Sequence, residues 1–314
     1  MVYCIHMAKS VTKNIWQGVI PAVTTQFDRD LKIEMSKCAE HARWMLDSGC
    51  TGIVALGSLG EAAALELGEK RELLSTLVKA VEGRGPMIAG ISALTTKEAV
   101  ALARDAEAAG CAGLMVLPPY VYKGDWDEMR AHVAAILRAT KLPCMLYNNP
   151  VAYGTDFLPE QIATLAGAHE NLQAVKESST DARRVTAIGA LCGDRIKILV
   201  GVDDCVVEGV GVGAVGWIAG VTNALPRETV EMFEAVRRGD KEHAMALYQW
   251  LLPLLRMDTV PKFVQLIKLQ QQEAGHGSEW VRPPRLVVSG AEREHALAII
   301  HAALKTRPTP VAAG

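Results

Sequence analysis

Eight apolar runs of strand length punctuate the first 220 residues, and amphipathic segments separate them. The runs are GVIPAVTTQF (18–27), GIVALG (52–57), MIAGI (87–91), GLMVLPP (113–119), PCMLYNN (143–149), LQAVKES (172–178), KILVGVD (197–203) and GAVGWIAG (213–220). Most are continuously apolar rather than alternating, as parallel strands covered on both faces require. Segment 95–109 opens with Thr95 and Glu98 in capping-box spacing and stops before Gly110. Segments 35–48 and 126–139 read as helices too, and the helix after the seventh run must be short and glycine-rich. Strand and helix alternating eight times predict a (β/α)8 TIM barrel, an α/β fold. An open doubly wound sheet is the alternative, but no GxGxxG turn follows the first run.

Beyond residue 225 the strand signal ends. Residues 227–238, 240–255, 260–274 and 290–305 read as helices, with Ser289 and Glu292 as a second capping-box pair and VRPPR (281–285) as an extended connector. The expected organisation is an N-terminal extension (1–13), the barrel (14–225), an appended C-terminal helical region (226–305) and a tail (306–314). Apolar stretches such as WLLPLL (250–255) and FVQLIKL (263–269) exceed what one small helical layer buries, which predicts an oligomer.

The net charge of -2 gives no basic excess for nucleic acid. No apolar stretch suits a membrane span, and the first residues lack the pattern of a signal peptide. Seven scattered cysteines without CxxC argue against a disulfide framework, so a cytoplasmic location is expected. The eight histidines show no metal-ligand spacing, and no metal or cofactor is expected.

In such barrels functional groups gather at the C-terminal ends of the strands. The sixth run carries Lys176 on the face set by Leu172 and Ala174. Burial favours the neutral amine, which attacks a ketone to give a Schiff base. The alternative is a lysine paired with a carboxylate, and the adjacent Glu177 points the other way. GSLGE (57–61) offers Ser58 and backbone N–H groups ahead of a helix expected near Glu61, an arrangement able to hold a carboxylate, or simply a glycine-rich turn. Tyr147 ends the fifth run, either to move protons between the lysine-bound substrate and Ser58 or to close the barrel mouth. Asp203 and Asp204 read as turn or capping acids, and Trp217 as core.

GSLGE, YNNP (147–150) and VKESS (175–179), with GVIPAVTTQF and NALP (223–226), resemble in order and spacing the dihydrodipicolinate synthase / N-acetylneuraminate lyase family over residues 14–305. The resemblance implies the barrel fold, a tetramer of paired dimers and class I chemistry on a 2-oxo acid without a cofactor. By position it implies that Lys176 forms the imine and Tyr147 transfers protons. Ser58 with the backbone of Leu59 would hold the substrate carboxylate, and Gly201 and Ile218 would lie near the bound acid. Three positions depart from the family's lysine-pathway synthases: Leu59 replaces a second hydroxyl residue, VAYGT (151–155) lacks their arginine, and Val121, between Tyr120 and Tyr122, replaces a tyrosine. Residues 199–228 resemble members that deaminate Δ1-pyrroline-4-hydroxy-2-carboxylate. The expectation is therefore a catabolic deaminase or dehydratase acting on a 2-oxo acid or its cyclic imine. A dihydrodipicolinate synthase or related pyruvate-dependent aldolase is the alternative, and a non-catalytic 2-oxo acid binding protein the third reading.

Overall fold

The computed structural model describes residues 14–119 and 121–308. The expected N-terminal extension, Tyr120 and most of the tail therefore lie outside the described residues. The strands are β1 (Gly18–Pro21), β2 (Ile53–Ala55), β3 (Met87–Ile91), β4 (Gly113–Val116), β5 (Cys144–Asn148), β6 (Leu172–Glu177), β7 (Lys197–Val200) and β8 (Gly216–Ala219). All pairings are parallel, in the order β1-β8-β7-β6-β5-β4-β3-β2. The remaining seam, between β1 and β2, is joined by a parallel bridge at Ala22 and Val54, where Val23 N–H donates to Val54 O at 2.8 Å. The fold is a (β/α)8 barrel. Six strands are buried at every residue; in β6 only Gln173 and in β7 only Lys197 are partly exposed. This is why the runs are continuously apolar.

Gln173 also marks an irregularity. Cys144 pairs with Leu172, but the next partners are Met145 and Ala174, so Gln173 is an extra residue on β6. Past this bulge Tyr147 lies beside Lys176 in register, and Asn148 beside Glu177.

The outer helices follow their sequence signals. Thr95 Oγ1 accepts from Glu98 N–H at 3.2 Å to open helix Thr96–Ala108. Asp125 and Glu128 form a reciprocal box at the start of Trp126–Arg138. The helix after β7 is the short Val206–Gly211. Helix Pro226–Arg238 follows β8 and packs against β1, so it completes the barrel's outer ring. Helices Lys241–Leu255, Phe263–Glu273 and Gly290–Lys305 form the appended region. Among the described residues no helix is long and apolar enough to cross a membrane.

Three local expectations change. No α-helix starts near Glu61; a single turn, Ala62–Ala64, follows it, and the helix begins at Leu67. The reason is that Glu61 adopts a left-handed conformation (φ +55°) and turns its carboxylate inward. Ser289 occupies the N-cap position without a side-chain cap, and the Glu292 carboxylate pairs with Lys262 instead of returning to the Ser289 N–H. VRPPR is a turn, closed by Arg285 N–H donating to Arg282 O at 3.1 Å.

Candidate active site

A cavity of about 590 Å³ opens at the C-terminal ends of the strands. Ser58, Leu59, Tyr147, Lys176, Gly201 and Ile218 all line it, so the structure gathers every site residue expected from sequence. Lys176 is 6 % exposed. Its Nζ lies 4.0 Å from the centroid of the Tyr147 ring, whose face is the electron-rich part of the phenol. Glu177 points away from the cavity, as strand alternation requires. It accepts from Ser179 N–H (2.7 Å) and Asn148 Nδ2 (3.1 Å) and lies 3.4 Å from Arg184 Nε. Lys176 thus has no carboxylate in hydrogen-bond contact among the described residues.

Gly201 is required by close approach. A Cβ there would lie 2.6 Å from Lys176 Cε and 2.0 Å from Ser178 Oγ. Only a residue without a side chain lets β7 pass alongside the lysine stem. Ser178 Oγ is buried, lines the cavity and has no hydrogen-bond partner among the described residues. A buried hydroxyl in that condition is available to a bound molecule.

The hydroxyl relay differs from the direct Tyr147–Ser58 link expected from sequence. Tyr147 OH accepts from Asn149 Nδ2 at 3.1 Å. Ser58 Oγ instead makes a short hydrogen bond to the hydroxyl of Tyr153. The Tyr153 ring meets Tyr147 edge-on, with centroids 5.5 Å apart and planes at 87°. Tyr153 arrives through the four-residue helix Pro150–Tyr153, which Asn149 caps by accepting from Ala152 N–H. Sequence reasoning passed over Tyr153, although VAYGT places a tyrosine one turn beyond the strand end. Ala152, in the same short helix, lines the cavity without a charge. Leu59 brings apolar surface to the cavity wall. Among the described residues the Ser58 and Leu59 N–H groups have no protein acceptor, which leaves both donors for a carboxylate.

Asp203 is more than a turn acid. It is fully buried and accepts from Val221 N–H (2.7 Å), Trp217 Nε1 (3.0 Å) and Gly220 N–H (3.1 Å). It therefore ties the end of β7 to the turn after β8. Trp217 is core, as expected, with its indole N–H satisfied by this carboxylate. Asp204 faces Arg256 at 3.8 Å.

Comparison with known proteins gives these features a lineage. The profile of the Dihydrodipicolinate synthetase family matches residues 15–303. The 4-hydroxy-tetrahydrodipicolinate synthase of Geobacter metallireducens is 31% identical over 286 residues, covering 91% of this chain and 98% of the relative. The enzyme of that name from Methanopyrus kandleri is 34% identical over 269 residues, covering 85% and 90%. Among solved structures, dihydrodipicolinate synthase from Aquifex aeolicus aligns with a TM-score of 0.87 at 25% identity, covering 95% of this chain and 100% of that one. YagE, a prophage protein of this family from E. coli K12 solved in complex with pyruvate, aligns with a TM-score of 0.87 at 25% identity, covering 92% and 99%. The chain belongs to the dihydrodipicolinate synthetase family and is an enzyme of the class I, lysine Schiff-base lyase type.

Proposed function

We propose that the protein forms a Schiff base between Lys176 and a 2-oxo acid or its cyclic imine. The observation that carries this is a buried lysine against the face of Tyr147, in a cavity that also presents Ser58 and two unpaired N–H groups. The substrate carboxylate sits on Ser58 and the Leu59 N–H, beside Gly201 and Ile218. With a 2-oxo acid the Lys176 amine adds to C2 and water leaves to give the iminium; with the cyclic imine the ring nitrogen leaves C2 instead. The iminium draws electrons from the C2–C3 region, so a C3 proton becomes removable. Tyr147 takes or returns that proton, with Tyr153 and Ser58 linked behind it.

Two finer reactions use this intermediate. The names of the curated relatives favour 4-hydroxy-tetrahydrodipicolinate synthase or a related condensation of a pyruvate-derived enamine with an aldehyde. The uncharged Ala152 in the cavity wall, where such synthases carry arginine, favours the deamination suggested by residues 199–228. In that reaction C3 loses a proton, the C4 hydroxyl leaves, and ring opening with hydrolysis releases ammonia. Steady-state assay with pyruvate plus aspartate semialdehyde, and separately with Δ1-pyrroline-4-hydroxy-2-carboxylate, distinguishes them. Condensation with no ammonia release establishes the synthase; ammonia release from the pyrroline establishes the deaminase. An assembly of paired dimers belongs to this proposal.

Tyr147→Phe is expected to keep the fold and slow turnover by about 10²–10⁴-fold, the range for a positioned acid–base group. Tyr153→Phe removes the partner of Ser58 but not the phenol beside Lys176, so a smaller loss is expected. Full activity of Tyr147→Phe on the true substrate refutes the assignment.

A further inference from the structure

An acidic side chain lines the cavity, and imine formation by Lys176 does not by itself account for it. Asp258 ends the short turn Arg256–Asp258 in the C-terminal region and lines the same cavity as Lys176. Among the described residues its carboxyl group has no hydrogen-bond or ion-pair partner. Its nearest acidic neighbour is Asp203. A Cβ built on Gly220 would lie 2.4 Å from Asp258 Oδ1 and 3.2 Å from Asp203 Oδ2, so the two carboxyl groups flank one small space that only glycine leaves open.

Two carboxyl groups confined together do not both ionise readily, and the environment decides which keeps the proton. Asp203 is held by three N–H donors, which stabilise its anion. Asp258 has none. Burial pushes the Asp258 carboxyl well above the usual carboxylate range, the nearby Asp203 adds to this, Lys176 opposes it and Asp204 adds a little more. Asp204 is itself partly offset by Arg256. With no donor to stabilise its anion, Asp258 is the carboxyl of the two that keeps a proton more readily.

We infer that Asp258 is the general acid that expels water from the Lys176 carbinolamine. This rests on the Schiff-base reading above. When the amine adds to C2, the carbonyl oxygen becomes a hydroxyl that must leave. Asp258 passes its proton to that oxygen, the C–O bond breaks, and the Nζ lone pair closes the C=N bond. Water departs, and the Asp258 carboxylate is left facing the new iminium, whose charge it offsets. In hydrolysis the same carboxylate takes a proton from the attacking water. Tyr147 remains the base at C3, so the two acid–base groups serve different atoms.

The test is the rate of imine formation itself. The full-length protein is mixed with pyruvate, quenched with borohydride at timed intervals, and the adduct is measured by intact mass. Asp258→Asn is close to isosteric but has no proton to transfer, and it is expected to form the adduct about 10²-fold or more slowly at neutral pH. In the wild type the rate should fall on the alkaline side as Asp258 loses its proton. In Asp258→Asn the falling limb should be absent, and Asp258→Glu should restore part of both rate and limb. A merely structural role would lower the yield at every pH without flattening the profile. Adduct formation by Asp258→Asn at close to the wild-type rate overturns the inference. If that variant does not fold by circular dichroism, a wild-type rate that does not fall on the alkaline side overturns it. If the wild type forms no adduct on Lys176, the Schiff-base reading itself fails.

Discussion

Lys176→Ala and Lys176→Arg are each expected to abolish both turnover and covalent trapping. With pyruvate or the true substrate, borohydride should add one stable mass per wild-type chain, and peptide mapping should place it on Lys176. The alanine variant has no amine. The arginine variant keeps the positive charge beside Tyr147, yet guanidinium stays protonated and cannot form the imine. That second variant separates chemistry from electrostatics: if charge alone were needed to attract an anionic ligand, Lys176→Arg would retain binding and function. The loss should be near total, because the covalent intermediate has no other route. An adduct on a different lysine, or activity in Lys176→Arg, refutes the mechanism.

The other large effect concerns stability. Lys268, in helix Phe263–Glu273, and Glu61, in GSLGE, are both fully buried, with Lys268 Nζ 3.1 Å from Glu61 Oε1. Lys268 also donates to Thr25 O at 2.9 Å and to Trp280 O, and it lies over the Phe27 ring. Glu61 Oε2 accepts from Arg282 N–H at 3.0 Å. Burial pulls the Lys268 pKa down, and Glu61 works against that. Lys268→Met leaves the Glu61 carboxylate buried without its counter-charge, which is expected to cost about 3–5 kcal/mol. Glu61→Gln together with Lys268→Met should recover part of the loss, since no lone charge then remains. Urea unfolding of the wild type and the two variants checks this. A loss in Lys268→Met no larger than that of an exposed pair, about 1 kcal/mol or less, contradicts it.

The barrel was legible because a strand buried on both faces leaves no polar alternation to confuse the reading, and all eight runs became strands. Lys176 was legible for the complementary reason: an ammonium within such a run has a high desolvation cost, so its presence points to use. Glu61 misled, because a glutamate after glycines looks like the first turn of a helix, whereas its partner Lys268 lies far along the chain. Ser289 failed similarly: the glutamate of its expected box pairs with Lys262. Tyr153 and Asp258 sit in short turns whose direction is set by the strands and helices that hold them. Local pattern carries no record of where such turns point.

The cavity wall is drawn from two distant stretches of sequence. The barrel supplies Lys176 and Tyr147 from strands and Gly201 from just past β7, while Asp258, Thr259, Phe263 and Arg285 come from the C-terminal region. A barrel gene duplicated without its last stretch would inherit the reactive amine but not a finished pocket. Conversely, drift at Thr259, Phe263 or Arg285 reshapes the cavity wall while leaving both the amine and Asp258 untouched. Lineages on this scaffold can change substrate without reinventing the bond-making step.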